Sequence, residues 1–307
     1  MPRPSNRKSV VAPLPPASTM PALFDIYRPP CPPQKNIWLE SWNGMLSRRR
    51  LRRKYHAIQM HIGRLPEDLA SLGTGAIFCS NSATADDCAI AHYILRRHLM
   101  LDPYFILDET EIAAQPALSR LGALGVNYHD SAGLVKSLHY AAELVRGVDL
   151  PGLLPLQPTR PRGLWIRPTD EVRSEMAGVI RCRTVVARLV RFASGLKDDT
   201  GQNTQLPPAS IGHPRMSARL RRAQMNPAVI PVIIHQVPTN SNEVEEGMPS
   251  PPPSLFIDFG EPWEISEFNT SIQAWTHLLE ERMNALRQES TERLKVSPPE
   301  GYVRIVK

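Results

Sequence analysis

Residues 75–109 limit the possible folds of this chain more than any other stretch. The stretch opens with the short apolar run Gly75–Cys79, which has the length and character of a buried strand. The small and acidic residues of Ser80–Asp87 suit a turn and the start of a helix, and apolar residues recur at helical spacing from Cys88 onward. A second buried strand is predicted at Tyr104–Leu107. The stretch therefore predicts a strand, a polar turn, a helix and a strand.

The polar turn allows two interpretations. Small polar groups between the end of a strand and the start of a helix lie where α/β folds often keep their chemistry. The simpler interpretation is that these side chains only cap the helix. The side chains concerned are Asn81, Ser82, Asp86 and Asp87.

The rest of the chain predicts the same fold class, because apolar strands alternate with amphipathic helices. The near-continuous apolar run Ala228–Val237 is typical of a strand in a parallel sheet. We therefore expect an α/β fold with a mixed, largely parallel sheet flanked by helices. The other predicted strands are Ala57–Ile62, Gly163–Ile166, Ser254–Phe259 and one within Leu121–Tyr128, and the other predicted helices are residues 36–56, Glu111–Arg120, Ser131–Arg146, Val179–Ala193 and Thr270–Arg293.

Proline-rich segments divide the chain. Residues 1–35 contain ten prolines and predict a disordered arm, because proline donates no backbone hydrogen bond. One domain is expected over residues 36–293, with a flexible insertion at 197–217, a Pro-rich loop at 238–253 and a tail at 294–307.

Composition excludes some classes of protein. No apolar run reaches the roughly 18 residues that span a bilayer. The four cysteines show no CxxC and no metal-ligand spacing, which indicates no metal site and a reducing, cytoplasmic setting. The net charge of +6 favours an acidic partner over a neutral one, although a solvated basic surface explains it equally well.

Residues 36–56 combine aromatic and basic residues on one predicted helix. Trp38 and Trp42, beside the basic run Arg48–Lys54, suit the headgroup region of an anionic membrane. The alternative is a helix that packs its aromatic side into the core. Nucleic acid is not expected as a partner, because no recognised binding motif accompanies the charge. The expected apolar side comprises Trp38, Trp42, Met45, Leu46 and Tyr55.

Four blocks along residues 36–290 resemble, in order and spacing, the glycerolipid acyltransferases of the lysophosphatidate acyltransferase type. The first block falls where the family has an N-H-x4-D sequence, and the third where the family has a Phe-Pro-Glu-Gly-Thr-Arg-like turn. The downstream run FGEPWEI is also family-like. The blocks are Asn81–Asp87 (NSATADD), Arg120–Tyr140, Leu164–Ser174 (LWIRPTDEVRS) and Val229–His235 (VIPVIIH).

The resemblance implies a role in phospholipid biosynthesis. Members of this family move an acyl chain from acyl-CoA or acyl-carrier protein, as co-substrate, onto a lyso-lipid hydroxyl, without a further cofactor. The resemblance also implies peripheral attachment to the cytoplasmic face of a membrane. The family histidine that takes the acceptor proton corresponds to Ser82, and the aspartate that holds it corresponds to Asp87. The implied substrate-binding positions are Tyr128, Pro168, Thr169, Glu171 and Arg173.

Several of these positions depart from the family pattern. Tyr128 replaces an arginine, Asp170 replaces a glycine, and Ser82 is no general base near neutral pH. Two functions therefore remain open: an acyltransferase with impaired turnover, or a non-catalytic relative that binds lipid or a protein partner at the membrane. The residues considered as substitute bases are His129, Asp86 and Asp87, with a Ser82–His129–Asp87 nucleophilic set as a further possibility and His92 expected to lie further along the helix.

Overall fold

The computed structural model describes residues 29–65, 69, 75–81, 86–147, 150, 160–169, 178–194, 227–238, 251–263, 271–296, 299 and 301–306. The strands in these ranges are β1 (Ala57–His61), β2 (Ala76–Ser80), β3 (Asp102–Asp108), β4 (Ala123–Val126), β5 (Arg162–Ile166), β6 (Ala228–Val237), β7 (Ser254–Phe259) and β8 (Val303–Val306). The helices are α1 (Ile37–Lys54), α2 (Asp87–Arg97), α3 (Glu109–Ala114), α4 (Ala117–Arg120), α5 (Ser131–Val145), α6 (Val185–Ala193) and α7 (Ile272–Lys295).

The eight strands form one sheet in the order β4-β3-β5-β2-β6-β7-β1-β8. Strands β4, β3, β5, β2 and β6 run parallel to one another, as do β7 and β1. The pairs β6–β7 and β1–β8 are antiparallel. The predicted mixed, largely parallel sheet flanked by helices is confirmed.

Helices cover both faces of the sheet, so β2 is buried on both sides. Alternate residues of β2 point to opposite faces. Ile77 and Cys79 join a core with α5, α6 and α7, whereas Ala76 and Phe78 join a core with α1 and α2. This explains why β2 lacks the alternation of polar and apolar residues that a strand with one exposed face would show.

Helix α6 begins later than the sequence predicts. The helix was expected from Val179, but residues 180–182 are not helical, because they bond to other elements. Ile180 donates its backbone N–H to Asn284 Oδ1 at 2.8 Å, and Asn284 Nδ2 donates back to the Ile180 carbonyl at 3.0 Å. Cys182 forms an antiparallel bridge with Thr169.

Residues near both ends of the chain join the fold. Residues 1–28 of the predicted arm lie outside the described residues, but residues 29–35 run beside β4, where Gly125 donates its N–H to the Cys31 carbonyl at 3.0 Å. In the predicted tail, β8 pairs with β1. The predicted insertion 197–217 and most of the loop 238–253 are outside the described residues. Among the helices that the structure describes, none is both long and apolar enough to cross a bilayer.

Candidate functional site

The candidate site lies at the edge of the sheet where β2, β3, β4 and β5 end. Because these strands are parallel, the residues that follow them meet at the same edge. Asp87 is the first residue of α2, Tyr128 follows β4, and Pro168 and Thr169 follow β5. Four of the seven predicted site residues therefore share this edge. The other three, Ser82, Glu171 and Arg173, lie outside the described residues, as does Asp170.

Charges from the first and third blocks lie close together at this edge. Arg167, the residue after β5, forms an ion pair with Glu111 of α3. Burial lowers the pKa of Arg167, but the negative charges of Glu111 and Asp87 outweigh this effect and hold its pKa above the usual value. The carboxylate of Asp87 is itself buried. Arg167 and Asp87 are therefore near neighbours, although 80 residues separate them along the chain.

Cys88 lies within the same group of charges but is not a nucleophile. Burial raises the pKa of the Cys88 thiol to about 12, with the charge of Arg167 acting in the opposite direction. A thiol with that pKa stays protonated near neutral pH, and the thiolate is the reactive form. The chemistry of this edge therefore has to come from the oxygen and nitrogen groups around Cys88.

Arg183 is a member of the site that the sequence did not reveal. Its guanidinium carbon lies 4.3 Å from the centre of the Tyr128 ring, which is cation–π distance. Its backbone N–H donates to the Pro168 carbonyl at 2.7 Å, next to the Thr169–Cys182 bridge. Arg183 thus places a positive charge beside Tyr128, the position where the acyltransferase pattern has an arginine. In the sequence, Arg183 was only one basic residue within the predicted helix Val179–Ala193.

The acidic side of the same edge is Asp108, at the end of β3. Burial raises the pKa of Asp108, but hydrogen bonds from Thr110 and the positive charges of Arg183 and His129 lower it further, so its pKa lies below the usual value. Asp108 Oδ1 accepts the Thr110 N–H at 2.9 Å and so caps α3. Asp108 therefore remains ionised and partly neutralises Arg183.

Asn81 has a structural role rather than a capping role. Its Nδ2 donates to the Ile234 carbonyl at 3.1 Å, and the Ile234 N–H donates to Asn81 Oδ1 at 2.7 Å. The first residue of block one is therefore bonded to block four, which lies within β6. Of the four side chains that the simpler interpretation made helix caps, Asn81 bonds to a strand and Asp86 makes no side-chain cap bond.

The structure separates the candidate substitute bases. Asp86 is a poor one, because burial raises its pKa but Lys54 and Arg50 lower it further, to below the usual value. His92 is buried away from this edge, with its Nε2 3.6 Å from Glu40 Oε1. His129 is exposed, and its charge reaches Asp108 at the edge. Of these three, only His129 lies at the candidate site.

The outer face of α1 carries exposed aromatic residues. Trp38 is 87% exposed and Trp42 is 59% exposed, and Met45 and Leu46 are also exposed. Tyr55 was expected on this apolar side, but it is buried and so does not belong to it. The interpretation that the aromatic side packs into the core is therefore wrong for Trp38 and Trp42. A shallow concavity beside them is lined by Leu46, Arg49, Arg50, Arg53 and Lys54.

Comparisons with known proteins give distant structural likenesses. A scan against family models and a search of curated proteins found no match. One solved structure that matches is the 1-acyl-sn-glycerophosphate (LPA) acyltransferase PlsC from Thermotoga maritima, with 12% identity and a TM-score of 0.40 over 82% of this chain and 79% of that chain. A likeness this distant carries no argument about activity, so any functional proposal has to rest on the residues of this chain.

Proposed function

We propose that this protein is a phospholipid or glycerol acyltransferase-like protein, which transfers an acyl chain from acyl-CoA or acyl-carrier protein to a lyso-lipid hydroxyl, with turnover impaired by Ser82. The observation that carries the proposal is the meeting of three separate blocks at one edge of the sheet. Asp87 comes from the first block, Tyr128 from the second, and Pro168 and Thr169 from the third.

The reaction needs a base more than it needs any other group. The acceptor hydroxyl attacks the thioester carbonyl, a C–O bond forms, the C–S bond breaks, the hydroxyl proton goes to a base, and the departing thiolate takes up a proton. Ser82 cannot accept that proton near neutral pH. Asp87 or the exposed His129 has to supply the base in this chain, and we expect either to work less well than a histidine at position 82.

Arg183 is the group best placed to hold an anionic acceptor. A guanidinium binds a phosphate through charge-assisted hydrogen bonds, often two at once. The guanidinium of Arg183 lies on Tyr128 at the open edge, whereas Arg167 is partly buried and paired with Glu111. We therefore assign Arg183 to the phosphate of a lyso-phospholipid.

The test is acyl transfer from labelled acyl-CoA to lysophosphatidate on vesicles, with the unsubstituted chain and the Ser82→His variant. We expect Ser82→His to raise turnover by about 100-fold or more, which is the usual contribution of a positioned acid or base. Ser82→His with Asp87→Asn is the control, and it should lose that gain. If neither the unsubstituted chain nor Ser82→His shows turnover, the proposal is contradicted.

The side chains described at this edge also favour a second function, which is binding of a lipid without catalysis. Cys88 is protonated and Ser82 is no base near neutral pH. The guanidinium of Arg183 is exposed beside Tyr128, so the edge is better equipped to hold a ligand than to react with one. A non-catalytic relative would bind lysophosphatidate without consuming it. Calorimetry that shows saturable binding, together with no turnover in either form, would support this alternative.

The membrane contact that we propose is peripheral, on the cytoplasmic face, and uses α1. Exposed Trp side chains next to a basic cluster match the interfacial region of an anionic bilayer. Co-sedimentation with vesicles containing phosphatidylglycerol should weaken as salt rises, because exposed charges are screened. Trp38→Ala with Trp42→Ala should weaken binding at every salt concentration. Equal binding to neutral vesicles would contradict the electrostatic part of the proposal.

A further inference from the structure

Asp86 joins the basic end of α1 to the candidate site. Its side chain is only 1% exposed and lies against α1, where Arg50 Nη2 is 2.6 Å from Asp86 Oδ1. Lys54 also pairs with Asp86, and the Tyr55 hydroxyl donates to Asp86 Oδ2 at 3.1 Å. A single buried carboxylate therefore holds the last turn of α1.

The same residue begins α2. The Ile90 N–H donates to the Asp86 carbonyl at 2.9 Å, so the Asp86 backbone closes the first turn of the helix. The Asp86 side chain makes no cap bond to its own helix, because it points to α1. The next residue is Asp87, at the candidate site. A movement of Asp86 therefore shifts Asp87 as well.

The cations that hold Asp86 are also exposed to solvent, so a ligand can reach them. The side chain of Arg50 is 64% exposed and that of Lys54 is 46% exposed. Both line the concavity on α1 together with Arg49 and Arg53, which form no ion pair within the described part of the chain. The basic cluster thus contains cations that are shared with Asp86 and cations that are not.

Lipid phosphates are strong competitors for the shared cations. A phosphate forms charge-assisted hydrogen bonds with arginine and lysine, as a carboxylate does. A buried carboxylate that loses its cations is strongly destabilised, because little water can replace them. Asp86 then has to take up a proton or move towards solvent, and either change loosens the first turn of α2.

We propose that Asp86 is a positioning residue for Asp87, and that anionic headgroups compete with Asp86 for Arg50 and Lys54, so that docking on an anionic bilayer loosens the start of α2. The inference rests on the proposed membrane contact of α1, but it does not need acyl transfer. It gives the basic cluster two separate tasks. Arg49 and Arg53 only attract the anionic bilayer. Arg50 and Lys54 also release Asp86 when they bind headgroups, and this loosens the start of α2.

The test is amide hydrogen exchange of the full-length protein at Ile90 and Ala91, alone and with vesicles. Phosphatidylcholine vesicles are the neutral reference, and vesicles with phosphatidylglycerol are the anionic probe. We expect anionic vesicles to speed exchange at these two amides by about 100-fold or more, the factor expected when a buried carboxylate loses its cationic partner. Neutral vesicles should leave exchange unchanged.

Arg49→Gln and Arg50→Gln form a matched pair of variants. Each removes one charge from the same helix surface, so both should weaken vesicle binding to a similar extent. Only Arg50→Gln should speed exchange at Ile90 without vesicles and reduce the further increase that vesicles cause. Lys54→Gln is a second variant with the same expected pattern, and Asp86→Asn should make exchange insensitive to vesicles.

The outcomes separate this inference from the membrane proposal. Vesicle binding with unchanged exchange at Ile90 would overturn the inference and leave the membrane contact intact. Identical exchange in Arg49→Gln and Arg50→Gln would overturn it as well. Absence of vesicle binding would overturn both proposals, whereas loss of acyl transfer alone bears only on the enzymatic one.

Discussion

Individual side chains at the site edge act through their backbone contacts as much as through their chemistry. Asn81 holds β2 to β6 through two hydrogen bonds with the buried Ile234, and Arg183 reaches Tyr128 because its own backbone bonds to Pro168. Neither role follows from the spacing of the blocks. Both depend on segments that are far apart in sequence and become neighbours only in the folded sheet.

Removal of the Asn81 side chain should destabilise the protein by about 1–3 kcal/mol, because the buried N–H and carbonyl of Ile234 lose their partners. Asn127→Ala is the control, since Asn127 Oδ1 accepts only an exposed hydrogen bond, from the His129 N–H at 2.9 Å. Urea unfolding of both variants measures the difference. Equal losses of stability in the two variants would show that the Asn81 hydrogen bonds stabilise the protein no more than the exposed bond of Asn127 does.

Replacement of Arg183 by glutamine should weaken binding of lysophosphatidate about 10- to 100-fold, which corresponds to the loss of a charged hydrogen bond. Arg181→Gln is the matched control, because Arg181 lies two residues away and pairs with Glu280 of α7 at 3.0 Å. Calorimetric titration with the lyso-lipid measures both variants. An equal effect of the two variants would exclude a specific role for Arg183.

At the scale of the element, α1 is fixed at both ends by buried carboxylates. Asp86 holds its C-terminal end, and Glu40, near its N-terminal end, lies 2.5 Å from Arg96 and 3.6 Å from both Lys35 and His92. Gly44, in the middle of the helix, lies beside His92 of α2, and an added Cβ there would make an ordinary contact with His92 at 3.5 Å. These contacts face inward and leave the two tryptophans on the outer face.

The ion pairs of Glu40 predict a loss of stability in acid. Burial raises the pKa of Glu40, but His92, Lys35 and Arg96 outweigh it, so the folded pKa lies below the usual 4.5. This stability is present above pH 4.5 and is lost as the pH falls through the lower folded pKa. Glu40→Gln should cost about 3–5 kcal/mol at pH 7, as expected when a buried charge loses its partner.

The measurement is urea unfolding of the natural protein and Glu40→Gln at several pH values between neutral and acid. The variant should show a smaller decrease in stability below pH 4.5, because the group that titrates is gone. Glu292→Gln on the exposed face of α7 is the control and should behave like the natural protein. An unchanged pH profile in Glu40→Gln would contradict the assignment.

At the scale of the whole molecule, α7 holds together the strands at one side of the sheet. Asp258 of β7 accepts the Tyr302 hydroxyl, and Arg293 of α7 lies 2.9 Å from it. On β6, His235 Nε2 lies 2.5 Å from Ser290 Oγ of the same helix. Through these polar contacts α7 is joined directly to β6 and β7. Tyr302, the residue before β8, is joined to it through Asp258.

The partly buried His235 predicts a second loss of stability, at milder pH. Burial lowers the pKa of His235 below 6.5, with Arg287 acting in the same direction and Asp258 against it. The unfolded chain therefore binds more protons, and stability falls as the pH drops through 6.5. Thermal melts at pH 7.5 and 5.5 should show a smaller decrease in Tm for His235→Gln than for the exposed control His277→Gln.

Local sequence patterns predicted the elements better than the way in which they assemble. A helix was expected over Glu111–Arg120, but the structure has two, α3 and α4, with Pro116 between them, because proline donates no backbone hydrogen bond. The strand Ala228–Val237 was recognisable from its apolar run. The order of the strands was not, because it depends on pairing between distant segments. Strand β8 gave no signal, since it is short and Val303 is exposed. Periodicity placed Trp38 and Trp42 on one side of α1. It could not show whether that side faces the core or the solvent, because this too depends on contacts between distant segments.

The fixed position of α1 has a thermodynamic consequence for the proposed contact with lipid. An amphipathic segment that folds only on a bilayer loses conformational entropy when it binds, which reduces its affinity. Helix α1 is already formed and attached to the sheet, so that entropy is lost on folding of the protein and not on docking. Its far-UV circular dichroism should therefore stay nearly constant when vesicles bind, and temperature should affect docking mainly through water released from the Trp38 and Trp42 surfaces.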